Sequence, residues 1–201
     1  MAFALDHVWI ATAERDVALA ALSAVTGRPV LDGWTPGGEV RSRGVRFGNG
    51  AFLDVHGEAS GFGASLLLRG SLDAAEALAA AHGWSVVRAP REDAPEAYRP
   101  PWSILAFRRR QGALSHLAVI AYEAEVTQAG AEYAVPLYTP APGVGPTLSR
   151  VWVGGDGAEA LAAFGCPGLE VGETDGVSRI EIAGAAGPAI RIGEVEVVFA
   201  P

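Results

Sequence analysis

The chain has 201 residues, half of them hydrophobic, a formal net charge of −8 and one cysteine. That length buries one substantial core, and an acidic balance with no continuous basic stripe argues against a nucleic-acid partner. The single cysteine, Cys166, excludes an internal disulfide framework and any multi-cysteine metal knuckle, and beside Pro167 it reads as structural.

No apolar run is long enough to span a bilayer, and the first residues carry neither a basic n-region nor a cleavable apolar stretch. A soluble protein with no membrane partner and a cytoplasmic location is the expectation.

In chain order, a strand over Leu5 to Ala11 leads into a helix over Glu14 to Thr26, with Thr12 as N-cap and Gly27 as the stop. Val17, Ala21 and Val25 recur at four-residue spacing, with Ala18 and Leu22 on the adjoining row, which predicts one buried stripe. Two strands, "VRSRGVRF" and "AFLDVHG", meet at Gly48, Asn49 and Gly50, a hairpin signal because Asn and Gly tolerate positive φ.

A second unit opens with "SLLLRG" and a helix from Leu72 to His82, capped by Ser71 and closed by Gly83. Strands near "WSVVRA", "SILAFRR" and "LSHLAVIAYE" follow, with a proline-rich loop between the first two. Arg108, Arg109 and Arg110 read as a charged hairpin tip that keeps an edge soluble, rather than as an anion site. A third unit runs from "SRVWVGG" through a helix near 157 to 164, with Asp156 and Glu159 spaced like a capping box, to "SRIEIAG" and "AIRIGEVEVVF".

The order of strand, helix and strands thus recurs, and "AEALAA" is common to the second and third units. Residues 1–138 are expected to form one domain of paired βαβββ modules (1–62 and 63–138). The stretch 139–147 is a linker, and 148–201 a third, shorter βαββ unit packed on the same domain. The fold class is α+β, with repeated βαβββ units making curved, mainly antiparallel sheets and helices on the outer face.

Strand alternation puts Leu5, His7 and Trp9 on one face against Val8 and Ile10, and Phe52, Asp54 and His56 against Leu53 and Val55. The aliphatic faces belong against helices, which leaves His7 and Asp54 together on the other. His56, at a strand end, reads as solvated, and His82 as a cation suited to a helix C-terminus. Tyr122 and Glu123 would lie near a rim.

The repeated βαβββ units, the opening "LDHVWIAT" and the "GNGAFLDV" hairpin resemble the vicinal oxygen chelate superfamily, in particular its glyoxalase-like domains. The resemblance implies a glyoxalase/bleomycin-resistance-like pairing of two modules around a concave cavity. A divalent metal is often held there by the first and last strands of each module. Those slots fall on His7 and Asp54, where glyoxalase-like members usually have glutamate in place of the second. Asp54 is four residues after Gly50 and His116 four after Gly112, which places His116 at the corresponding slot of the second unit. The remaining slot falls on Leu66 or Leu67, which cannot bind metal. His7, Asp54 and His116 are therefore the candidate ligands for iron, manganese, nickel or zinc. The third unit has Arg150 and Arg191 in the corresponding places, and arginine is no ordinary ligand.

Two functions follow, both with a small molecule as ligand or substrate. One is a metal-dependent lyase, isomerase or dioxygenase acting on a small oxygenated metabolite. The other is a metal-free small-molecule binding protein of the sequestration or resistance type. Trp9, Phe52 and Trp102 are its stacking surfaces, and Tyr122 stands at the rim. An odd number of units leaves an open sheet edge, so a homodimer is expected.

Overall fold

The computed structural model describes residues 3–33, 40–57, 63–93, 100–108, 112–123, 137 and 143–201. Arg109, Arg110 and positions 139–142 of the expected linker lie outside the described residues. The first unit consists of β1 (Ala4–Ala11), α1 (Arg15–Thr26), β2 (Val30–Asp32), β3 (Ser42–Arg46) and β4 (Phe52–His56). The second consists of β5 (Ala64–Arg69), α2 (Leu72–His82), β6 (Val86–Ala89), β7 (Trp102–Phe107) and β8 (Leu117–Tyr122).

The eight strands of the two units build one sheet in the order β2-β3-β4-β1-β5-β8-β7-β6. Within each unit the first and last strands run parallel, β1 beside β4 and β5 beside β8. The units meet through an antiparallel β1–β5 pair. The chain therefore has a mixed α+β fold with two mostly antiparallel sheets.

The second sheet contains β9 (Thr147–Gly154), β10 (Leu169–Ala183), β11 (Ile190–Ile192) and β12 (Val195–Ala200) in the order β11-β12-β10-β9. It repeats the centre of the first sheet: β9 and β10 are antiparallel like β1 and β5, and β10 and β12 parallel like β5 and β8. β9 and β11 are separated by two strands, so Arg150 and Arg191 do not face each other as residues of neighbouring strands do. Their equivalence with His7 and Asp54 is corrected accordingly.

Helix α2 begins where the Ser71 hydroxyl accepts a bond from the Ala74 amide at 3.3 Å and ends at Gly83, whose φ of 69° a side chain would resist. In α1 the buried residues are Ala18, Leu19, Leu22 and Thr26, whereas Val17 is 75 % exposed. The stripe is rotated from the expected one because Leu19 and Leu22, the larger side chains, take the core. The expected helix near 157 to 164 is a 3-10 helix, Ala158–Phe164, with no side-chain cap. It lies between the positive-φ glycines Gly157 and Gly165 and buries Ala158, Leu161 and Phe164, a three-residue spacing that suits the tighter helix.

The Gly-Asn-Gly turn closes as expected between β3 and β4, with the Phe47 amide donating to the Ala51 carbonyl at 2.8 Å. One apolar core joins both sheets. Val8, Ile10, Leu53, Leu66 and Val119 of the first meet Val151, Val153, Ile180 and Ile182 of the second, with Leu19 and Leu22 of α1 and Ala75 and Ala79 of α2 packed among them. Phe164 reaches from the 3-10 helix to the rings of Phe3, Trp84 and Phe107, with centroids 5.4, 5.8 and 5.7 Å away. Among the described residues no helix is long and apolar enough to cross a membrane.

Candidate functional site

The other face of the eight-stranded sheet is turned away from this core. Across it the register aligns Arg46 of β3, Phe52 of β4, His7 of β1 and Leu67 of β5 in one row. Gly44, Asp54, Trp9 and Ser65 form the next row. Strand partners in register share a face, so His7, Trp9, Phe52 and Asp54 lie together. Trp102 and Tyr122 pair across β7 and β8, with ring centroids 6.4 Å apart. Trp102 also lines a cleft of about 270 Å³ with Ile104 and Arg91.

A β-bulge between Leu5 and His7 makes Asp6 an extra residue in β1. Leu5 then packs on the core, opposite to the side that simple alternation assigns to it. Asp6, fully buried, turns to the same side as His7 and accepts a bond from His7 Nδ1 at 2.7 Å. It also accepts from the Tyr122 hydroxyl at 2.7 Å and from Arg69 Nε at 2.8 Å. With the carboxylate as acceptor, the proton of a neutral His7 stands on Nδ1 and the lone pair on Nε2. Among the described residues Nε2 has no hydrogen-bond partner. Burial by itself would raise the Asp6 carboxyl, but the hydrogen bond from His7, the Arg69 guanidinium and the Tyr122 hydroxyl outweigh it and hold the group below its ordinary value.

The His7 ring stacks on Phe52 at 4.4 Å, nearly parallel at 12°. On the other flank of the same row, the Arg46 guanidinium lies over Phe52, 5.3 Å from its centroid. Arg46 is only 3 % exposed, donates to the Leu137 carbonyl through Nη1, and its Nε has no hydrogen-bond partner among the described residues. Leu137 itself is fully buried against Phe52, with Leu31, Trp102 and Tyr122 around it. Asp54 is 4 % exposed, and His56 approaches it with Nε2 at 3.7 Å from Oδ2. The Trp9 ring tilts over His56 at 5.0 Å.

His116 is not part of this assembly. Gly112 opens a 3-10 helix, Gly112–His116, held by the Ser115 hydroxyl donating to the Gly112 carbonyl, so counting along a hairpin strand from Gly112 fails. The imidazole instead points to β10, with Nε2 3.3 Å from Asp175 Oδ1. Among the described residues no three His, Cys, Asp or Glu side chains are grouped to hold a metal ion. Among the described residues the set His7, Asp54 and His116 is thus not brought together.

Asp6, Arg46, Arg69 and Leu137 are the members of the site that residue patterns did not reveal. Alternation assigned Asp6 to the core side, where an aspartate flanked by apolar neighbours was itself a sign of a bulge. Arg46 followed the same parity as Asp54 across the turn and could have been found by pairing the hairpin. Leu137 had no local signal.

No family model and no curated protein matches the chain in sequence. Among solved structures, a hypothetical protein from Staphylococcus aureus is similar over 100 % of both chains, with a TM-score of 0.64 and 10 % identity. A catechol 2,3-dioxygenase is similar over 90 % of this chain and 70 % of its own, with a TM-score of 0.58 and 14 % identity. A methylmalonyl-CoA epimerase from Mycobacterium tuberculosis covers 62 % of this chain and 91 % of its own, at a TM-score of 0.43 and 18 % identity. At these identities the likeness is one of architecture, and the chain has the vicinal oxygen chelate, or glyoxalase-like, fold.

Proposed function

We propose that the protein binds a small molecule on the open face of the eight-stranded sheet, without a three-ligand metal centre. His7 Nε2 is its polar anchor, and Trp9, Phe52, Trp102 and Tyr122 are its walls. The observation that carries this reading is the buried Asp6–His7 contact at 2.7 Å. It fixes the imidazole with its lone pair free on an aromatic surface. Such a site suits sequestration of an oxygenated compound, which donates a hydrogen bond to Nε2 and stacks on the rings.

Tryptophan fluorescence titration with small oxygenated aromatics tests it. The name of the similar catechol 2,3-dioxygenase makes catechols the first compounds to try. His7→Ala should weaken binding about tenfold, the worth of one hydrogen bond, and Trp9→Ala should weaken it by loss of stacking surface. His116→Ala should leave it unchanged. Quenching that is the same in all four proteins would refute the site.

A second reading, a metal-dependent lyase, isomerase or dioxygenase, has one observation in its favour. A carboxylate behind an imidazole is how proteins orient metal-binding histidines, and Asp54 shares the face of His7. Elemental analysis of protein purified without added metal or chelator decides it. About one divalent ion per chain, lost in His7→Ala, supports this version. Protein that gains no thermal stability from manganese, iron(II), nickel or zinc sinks it.

A further inference from the structure

We propose that the cleft beside Trp102 is a second binding site of this sheet, one that takes a neutral, flat bicyclic molecule. The inference goes beyond the reading at His7, since the cleft shares the Trp102 wall with that site and uses none of its polar groups.

The cleft, about 270 Å³ in volume, lies at the β6 edge of the eight-stranded sheet. Ala89 and Ile104 are register partners on β6 and β7, and Trp102 stands two residues from Ile104 on the same strand, so all three share one face. Pro90 and Pro100 complete the apolar lining with their pyrrolidine rings. These walls are fixed before any ligand arrives. The Trp102 ring is braced edge-on against Tyr122 at 6.4 Å. The Arg91 amide donates to the Ser103 hydroxyl at 3.0 Å, the Asp93 amide to the Pro90 carbonyl at 3.1 Å, and the Glu123 amide to the Pro101 carbonyl at 3.0 Å. A site so held has little left to order when it binds. A cavity of roughly 150 Å³ admits one benzene ring. The larger volume of this cleft therefore suits a fused pair of rings.

The charges at the cleft decide the sign of its ligand. Arg91 and Asp93 both line it, and Arg91 Nη1 already lies 3.7 Å from Glu123 Oε2. An anion entering the cleft meets Asp93, and a cation meets Arg91, so either sign is opposed by a like charge. A neutral molecule meets no such repulsion. Flatness follows from the walls. A planar π system gains stacking on the Trp102 indole beyond the area it buries, and a puckered saturated bicycle of the same volume does not.

The test uses quinoline as its probe, a neutral flat bicycle that has no hydrogen to donate to His7 Nε2. Binding is read by NMR from the tryptophan indole N–H signals, that of Trp102 being identified by its absence in Trp102→Phe. Quinoline should shift the Trp102 signal. The saturated ketone 1-decalone, the cation N-methylquinolinium and the anion 2-naphthoate should each bind at least about tenfold more weakly. Ala89→Phe, which fills the cleft from the exposed edge strand, should weaken quinoline binding at least about tenfold. A Trp102 signal that quinoline does not move overturns the proposal. So does equal binding of quinoline and 1-decalone, a charged analogue that binds as tightly, or quinoline binding undiminished by Ala89→Phe. Should Ala89→Phe fail to fold, the four probes on the wild-type chain decide alone. If catechols quench fluorescence in a His7-dependent way while quinoline does not bind, only the cleft inference fails. If quinoline behaves as expected and catechols do not bind, only the His7 reading fails.

Discussion

Asp6 and His7 are consecutive in sequence, yet their side chains meet on one face of β1, Oδ2 to Nδ1 at 2.7 Å. The bulge between Leu5 and His7 is what permits it. The carboxylate also serves Arg69 and Tyr122, so one side chain holds three others in place. Asp6→Asn keeps the shape but removes the charge opposite Arg69. Because Arg69 is half exposed and can be resolvated, the loss should be about 1.5–3 kcal/mol by urea unfolding. Tyr122→Phe should cost about 1 kcal/mol.

The same group sets an acid limit. Its folded value lies below the ordinary 3.8, so the ionised form is preferred by the native state. The stabilisation is then complete above 3.8 and is lost as pH falls from there through the folded value. The stability difference between the wild type and Asp6→Asn should be constant from neutral pH down to that point. It should shrink only below it. A difference that decays between pH 7 and 5 would mean that another group carries the effect.

His116 and Asp175 make a pair of another kind, with Asp175 75 % exposed. His116→Ala should change stability by less than about 1 kcal/mol, and the change should fall further in high salt. A loss above 2 kcal/mol would show that this contact between the sheets is structurally decisive.

Phe164 is the aromatic bridge between the two sheets, 3 % exposed and in contact with Phe3, Trp84 and Phe107. Phe164→Ala should cost about 3–5 kcal/mol, and unfolding should remain a single transition because both sheets share one core. Two separated transitions in calorimetry would show that the second sheet folds by itself.

Element order, both α-helices and the Gly-Asn-Gly hairpin were legible because they are local: stops, turn residues and the Ser71 cap act within a few positions, although Thr12 does not cap α1 as expected and that helix starts after Glu14 with no side-chain cap bond. So was the shared face of His7 and Asp54, which needs only alternation and the neighbouring of first and last strands. The bulge at Asp6 was not, because an inserted residue changes parity without changing composition. His116 was misplaced for a similar reason, since a 3-10 turn consumes residues that a strand count treats as extended. Leu137 meets Arg46 across 91 positions, and no short-range pattern encodes such a contact. The regular part of the site lay in the strands, and the specific part in what departs from them.

β1 lies at the centre of the eight-stranded sheet, and both strands that flank it, β4 and β5, are encoded later than α1, β2 and β3. A chain leaving the ribosome therefore carries Val8 and Ile10 without their sheet neighbours until Phe52–His56 and then Ala64–Arg69 have been made. Closing loops of that length precedes any gain from pairing, which places this protein among slow-folding topologies, with refolding on the millisecond to second scale or slower. Its most vulnerable moment in the cell is thus during synthesis, when an apolar strand waits for its neighbours.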